Sequence, residues 1–122
     1  MTYSFRGIDH VQVAAPPNQE DIAREFYSNK LGFHELQKPE NLAKRGGVWF
    51  QAGNHQLHIG VENDFTSAKK AHPAFEVKNI NDLKTKLIEK NVDVIEDDNL
   101  EGAKRFYLQD PFGNRLEFLE WL

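Results

Sequence analysis

A chain of 122 residues is long enough to build one hydrophobic core and too short for two. It has no cysteine, which excludes disulfide staples, thiolate metal sites and cysteine nucleophiles and leaves a reducing cytoplasm as the expected location. Its 15 basic and 19 acidic residues give a formal charge of −4, the wrong sign for a protein held to nucleic acid through phosphates. No apolar run approaches the ~20 residues of a membrane span.

Residues 7–14, GIDHVQVA, alternate and are β-branched, which predicts a strand ended by Ala15-Pro16-Pro17. Asn18 reads as an N-cap, with Glu20 and Asp21 in the first turn of a helix over 19–31 that stops at Gly32. A short strand is predicted over 32–37, a loop over 38–47, a strand over 48–52, a Gly53-Asn54 turn and a strand over 56–62. The order then repeats: a strand over 72–78, a helix capped by Asn79 or Asn81 with apolar Leu83, Leu87 and Ile88, and a stop at Asn91. Strands follow over 92–96, 105–109 and 115–121, with a loop over 97–104 and the turn Asp110-Pro111-Phe112-Gly113-Asn114. The opening MTYSFRGIDH lacks the basic and then apolar pattern of a secretory signal.

This is βαβββ followed by βαβββ. One domain over 1–122 is expected, with a first module at about 5–62, a polar linker at about 63–70 and a second module at about 71–122. Spacing supports a duplication: His10 and His72 are 62 apart, and His58 and Glu117 on the last strand of each half are 59 apart. The expected fold is α+β, two tandem modules forming a cupped mixed sheet with helices on the outside.

Strand side chains alternate between faces. Val11 and Val13 oppose His10 and Gln12; Leu57, Ile59 and Val61 oppose Gln56, His58 and Gly60; Phe75 and Val77 oppose His72, Ala74 and Glu76; Leu116 and Phe118 oppose Arg115 and Glu117. One face of each strand is apolar and the other carries a His or Glu. If the sheets curve toward each other, three imidazoles and one carboxylate converge. That donor set suits a divalent Zn, Ni, Fe or Mn ion.

The segments GIDHVQVAAP, EFYSNKLGF, KKAHPAFEV and above all RFYLQDPFGNRLEF resemble the vicinal oxygen chelate superfamily, which includes glyoxalase I, extradiol dioxygenases, fosfomycin-resistance enzymes and bleomycin-resistance proteins. The resemblance covers about the whole chain. It implies metal ligands at His10, His72 and Glu117, a fourth at His58, and Glu117 doubling as a base. Glyoxalase I typically carries Glu at the position of His58, so this chain departs from it there. With His58, a bound divalent ion would keep a net charge of +1, which favours stabilising an oxyanion.

The expected function is therefore a metal-dependent small-molecule enzyme of glyoxalase or dioxygenase type. The alternatives are a metal-free ligand-sequestering protein like those of bleomycin resistance, and an extradiol dioxygenase or thiol transferase. Trp49, Gln56 and Tyr107 share the cup-facing parity and are substrate-binding candidates. Arg105 and Arg115 share it too, either as anion binders or as partners for Glu76. His55 falls at a hairpin tip and reads as solvated, and Asp110 reads as the residue that holds its turn. A homodimer is expected, because edge strands and the exposed aromatic Trp121 need covering.

Overall fold

The computed structural model describes residues 2–122; Met1, within the expected domain span, lies outside the described residues. The first sheet contains β1 (His10–Ala15), β2 (His34–Leu36), β3 (Val48–Ala52) and β4 (His55–Val61), in the order β1-β4-β3-β2. The second contains β5 (Ala74–Glu76), β6 (Ile95–Glu96), β7 (Ala103–Gln109) and β8 (Arg115–Trp121), in the order β5-β8-β7-β6. In each sheet the first and last strands pair in parallel and the remaining pairs are antiparallel. The two βαβββ modules thus have one topology, as their spacing predicts.

Helix α1 (Glu20–Ala23) runs into a π-helical stretch, Arg24–Lys30, where the Leu31 N–H donates to the Phe26 carbonyl. Phe26 and Tyr27 are buried on this element. Gly32 and Asn91 take positive φ beyond the helix ends, as expected. Two helix starts differ from the sequence reading. Asn18 and Asn79 both have left-handed φ, 62° and 61°, and neither side chain caps a helix. For α3 (Ile80–Glu89) the cap comes from elsewhere: the Asn79 and Ile80 N–H groups donate to the Glu120 carboxylate on β8, at 3.1 and 3.0 Å. The expected loop 38–47 holds one helical turn, α2 (Glu40–Ala43). The strand expected over 72–78 is paired only at 74–76, which leaves His72 just ahead of β5.

The face assignments from alternation hold. Val13, Phe50, Leu57, Ile59, Phe106, Leu108, Leu116 and Phe118 are buried in one apolar cluster with Phe26, Tyr27 and Leu87 from the helices. Gly47 is required where β3 approaches β4: its φ is +87°, and a Cβ there would lie 2.2 Å from the Ile59 carbonyl oxygen.

A buried polar clasp joins the modules. Tyr27 donates to the Asp110 carboxylate at 2.6 Å, and Asn114 donates to the Ala14 carbonyl at 2.7 Å and accepts from the Ala68 N–H at 3.0 Å. Asp110 also accepts from the Phe112 and Asn114 N–H groups. It holds its turn, as read from sequence, and the turn holds the other module. Burial, reinforced by the Asp110 carboxylate, raises the Tyr27 phenol well above its ordinary pKa. Among the described residues no helix is long and apolar enough to cross a membrane.

Candidate functional site

Register shows how the duplication repeats a site. On the β1–β4 ladder His58 lies opposite Gln12, and His10 is two residues before Gln12. On the β5–β8 ladder Glu117 lies opposite Ala74, and His72 is two residues before Ala74. Across the antiparallel pairs, Trp49 faces His58 and Tyr107 faces Glu117. Each module therefore presents a His on or just ahead of its first strand, a donor on the last strand, and an aromatic ring beside that donor.

In the second module His72 Nε2 is 2.9 Å from Glu117 Oε1, with both side chains largely buried. His72 Nδ1 is 2.7 Å from the Lys70 carbonyl oxygen. A carbonyl can only accept, so Nδ1 carries the proton of that bond. In the neutral imidazole, Nε2 then offers a lone pair to a carboxylate oxygen that also offers one. The two must share an electrophile, either a proton, giving an imidazolium–carboxylate pair, or a metal ion.

Arg105 is committed to carboxylates. Its Nη1 lies 3.5 Å from Glu117 Oε2 and its Nη2 lies 3.3 Å from Asp97 Oδ2, while its Nε is buried without a partner. The Asp97 carboxyl is held below its ordinary pKa by the Asn99 backbone N–H and, secondarily, by Arg105. Neither Arg105 nor Arg115 pairs with Glu76, the partner considered from sequence. The Arg115 guanidinium sits 4.0 Å over the Tyr107 ring, with no carboxylate at salt-bridge distance among the described residues. The His72 ring meets the same Tyr107 edge-on at 5.5 Å. Burial, and next the Glu117 carboxylate, raises the Tyr107 phenol.

In the first module His58 is closed on both faces. The Trp49 indole stacks on one side at 3.9 Å and the His10 ring on the other at 4.1 Å. His58 Nε2 is 2.9 Å from Gln56 Oε1, so Gln56 touches the site by holding His58. Burial, then His10, lowers the His58 pKa, and the Lys38 ammonium contributes in the same direction. His10 is more open, and its Nδ1 is 3.0 Å from the Asp9 carboxylate. This fixes the tautomer that leaves Nε2 free, as an outer carboxylate does for a metal-binding His. His55 is exposed at the start of β4, as expected.

Asp9, Lys38 and Asp97 were not among the residues picked from sequence. Asp9 had a signal in its adjacency to His10. Lys38 and Asp97 lie in segments read as loop, where no periodicity assigns a face.

The fold brings the four expected ligands together as two pairs, His10 with His58 and His72 with Glu117. Among the described residues no three His, Asp or Glu side chains are gathered to hold a metal ion. An open cleft of about 1390 Å³ lies along β1 and β5, lined by Val11, Val13, Phe75 and Phe118 and reached by Gln56 and His72.

A family model, "Glyoxalase/Bleomycin resistance protein/Dioxygenase superfamily", matches residues 7–118. The chain belongs to that superfamily. Within it, a glyoxalase family protein from Bacillus anthracis is 52% identical over 100% of both chains, with a TM-score of 0.97. The superfamily fold extends to a lactoylglutathione lyase from Agrobacterium tumefaciens, 18% identical over 97% of this chain and 96% of that one, with a TM-score of 0.74. It extends also to a fosfomycin resistance protein from Listeria monocytogenes, 13% identical over 98% of this chain and 96% of that one, with a TM-score of 0.76. These two likenesses show the fold alone. No curated protein matches the chain.

The donor chemistry fits a divalent metal. Two imidazoles have Nδ1 bonded to acceptors and Nε2 left for ligation, and a carboxylate already faces one of them.

Proposed function

We propose that this protein is a metal-dependent enzyme acting on a small molecule, with His10, His72 and Glu117 as the ligands of a divalent ion and each site built from two chains. One copy supplies His10, and the other supplies the His72–Glu117 pair. The reading is carried by the 2.9 Å contact of His72 Nε2 with Glu117 Oε1 while Nδ1 is bonded to the Lys70 carbonyl. His58, with Nε2 on Gln56, serves as the wall of the site; releasing Gln56 would make it the fourth ligand. The homodimer is then a requirement of the chemistry, and the lack of cysteine suits a cytoplasmic setting.

When bound, the ion supplies a Lewis acid that polarises oxygens of the substrate. The chain's own residues do the rest. Glu117, loosened from the ion, would take a proton from the substrate while Arg105 steadies Oε2. Arg115, free of carboxylates, receives an anionic group of the substrate with its two-pronged fork. Tyr107 and Trp49 give the apolar part of the substrate rings to lie against.

A second reading has one observation in its favour: a proton on His72 Nε2 satisfies Glu117 as well as a metal does. The protein would then sequester a ligand without chemistry. The two readings separate on metal analysis of untagged protein incubated with Zn, Ni, Mn or Fe(II). The enzyme reading expects about one ion per chain, lost in Glu117→Gln and kept in His55→Ala. Protein that stays metal-free with all four ions overturns it in favour of sequestration.

A further inference from the structure

We infer that residues 2–9 form an arm that clasps a second copy of this chain, so that the segment ahead of His10 helps assemble the metal site. The inference rests on the two-chain reading above. The arm has no strand or helix of its own. Its apolar residues are left in solvent: Tyr3 is 69% exposed, Phe5 93% and Ile8 67%. Tyr3 and Phe5 alternate with Ser4 and Arg6, so the two rings fall on one side of an extended segment. They touch each other edge-on at 6.0 Å. An aromatic pair with no cover beyond itself marks a surface made for a partner.

Connectivity identifies that partner. The arm leads directly into His10, whose ring is half-open to solvent and whose Nε2 is free. If His10 ligates the same ion as the His72–Glu117 pair of a second copy, it comes within a few ångströms of that copy. Eight extended residues span at most roughly 29 Å, so an arm tethered at His10 lies along the second copy's surface. Both copies have apolar surface to receive it. The cleft beside β1 and β5 is lined by Val11, Val13, Phe75 and Phe118, and Ile8 already reaches its mouth. The outer edges of β1 and β5 have no strand partner in either sheet, and such edges call for cover.

The test is the full-length double variant Tyr3→Ser/Phe5→Ser. Both side chains are exposed, so the chain itself should fold as before, checked by its far-UV dichroism. Sedimentation equilibrium across a dilution series should show a dimer dissociation constant raised at least about tenfold. Zn titration should show binding that weakens as the variant is diluted, at concentrations where the unaltered protein still binds. A variant that dimerises as tightly as the parent overturns the arm and leaves the two-chain site standing. A parent that is monomeric and binds one Zn per chain overturns both.

Discussion

His72 and Glu117 meet between the segment leading into β5 and the adjacent β8, with Nε2 2.9 Å from Oε1 and Nδ1 already spent on the Lys70 carbonyl. Two acceptors at that distance need a proton or a metal ion between them. His10 shows the same preparation, with Nδ1 on Asp9 and Nε2 free, in the other module. The duplication has therefore repeated more than strand order. Each module has an imidazole whose Nδ1 is bonded to an oxygen acceptor, and on the proposed reading these are two half-sites for one ion.

On the proposed reading, Asp9 orients His10 through its contact with Nδ1. Asp9→Asn replaces the carboxylate on His10 Nδ1 with a weaker acceptor and should reduce metal affinity by up to about tenfold, at the low end for an outer carboxylate because Asp9 is exposed. Calorimetric titration of the dimer with Zn measures it. Unchanged affinity would mean that His10 is oriented by its stack on His58 alone.

The two arginines should separate by function. Among the described residues Arg115 has no carboxylate at salt-bridge distance, whereas Arg105 is held by Asp97 and Glu117. On metal-loaded protein, small 2-oxo or 2-hydroxy carboxylates should raise the melting temperature, and Arg115→Ala should erase that rise while leaving metal content intact. Arg105→Ala should lower metal affinity, since it frees the outer oxygen of Glu117. Loss of ligand response only in Arg105→Ala would reverse the assignment.

Tyr27→Phe leaves the buried Asp110 carboxylate without its 2.6 Å donor. A hydrogen bond to a charged, buried acceptor contributes about 1.5–3 kcal/mol. Urea unfolding should show a loss of that size, with the fold retained because the ring still fills its place.

Glu120 should give part of the stability an acid limit. Its carboxylate accepts from the Ile80 and Asn79 N–H groups, which hold its pKa below the ordinary value of 4.5. Because the folded pKa is the lower one, this contribution is present above about 4.5 and lost as pH falls through the folded value. Glu120→Gln should melt lower than the parent at pH 7, and the two melting curves should converge as pH falls through the lowered pKa of folded Glu120.

Alternation and spacing made most of the fold legible. The strands over 48–52 and 115–121 have the expected limits because alternation and turn chemistry agree at both ends. The N-terminal helix caps were not legible. Asn18 and Asn79 are favoured caps by type, but both serve the chain reversal with positive φ, and Glu120, 40 residues from Ile80, makes the cap of α3. The site was half legible. Parity put His10, His58, His72 and Glu117 opposite the apolar face and pointed to one converging quartet, whereas the fold gathers them as two pairs, one in each module. It carried no information on which modules face each other, because that depends on how sheets pack and not on how a strand alternates. Likewise, parity put Arg105 and Arg115 together, and their contacts tell them apart: Arg105 lies on Asp97 and Glu117, and Arg115 lies over the Tyr107 ring.

The central claim is that His10 of one chain and the His72–Glu117 pair of another share one ion. It is tested most directly by mixing two defective variants, His10→Ala and Glu117→Gln, each of which should bind no metal alone. After subunit exchange, half the dimers hold one copy of each variant, and in those one of the two sites has all its ligands. The mixture should therefore recover about a quarter of the parent's metal. A mixture that exchanges subunits and recovers none, while the parent binds one ion per chain, would place the whole site within a single chain and contradict the account.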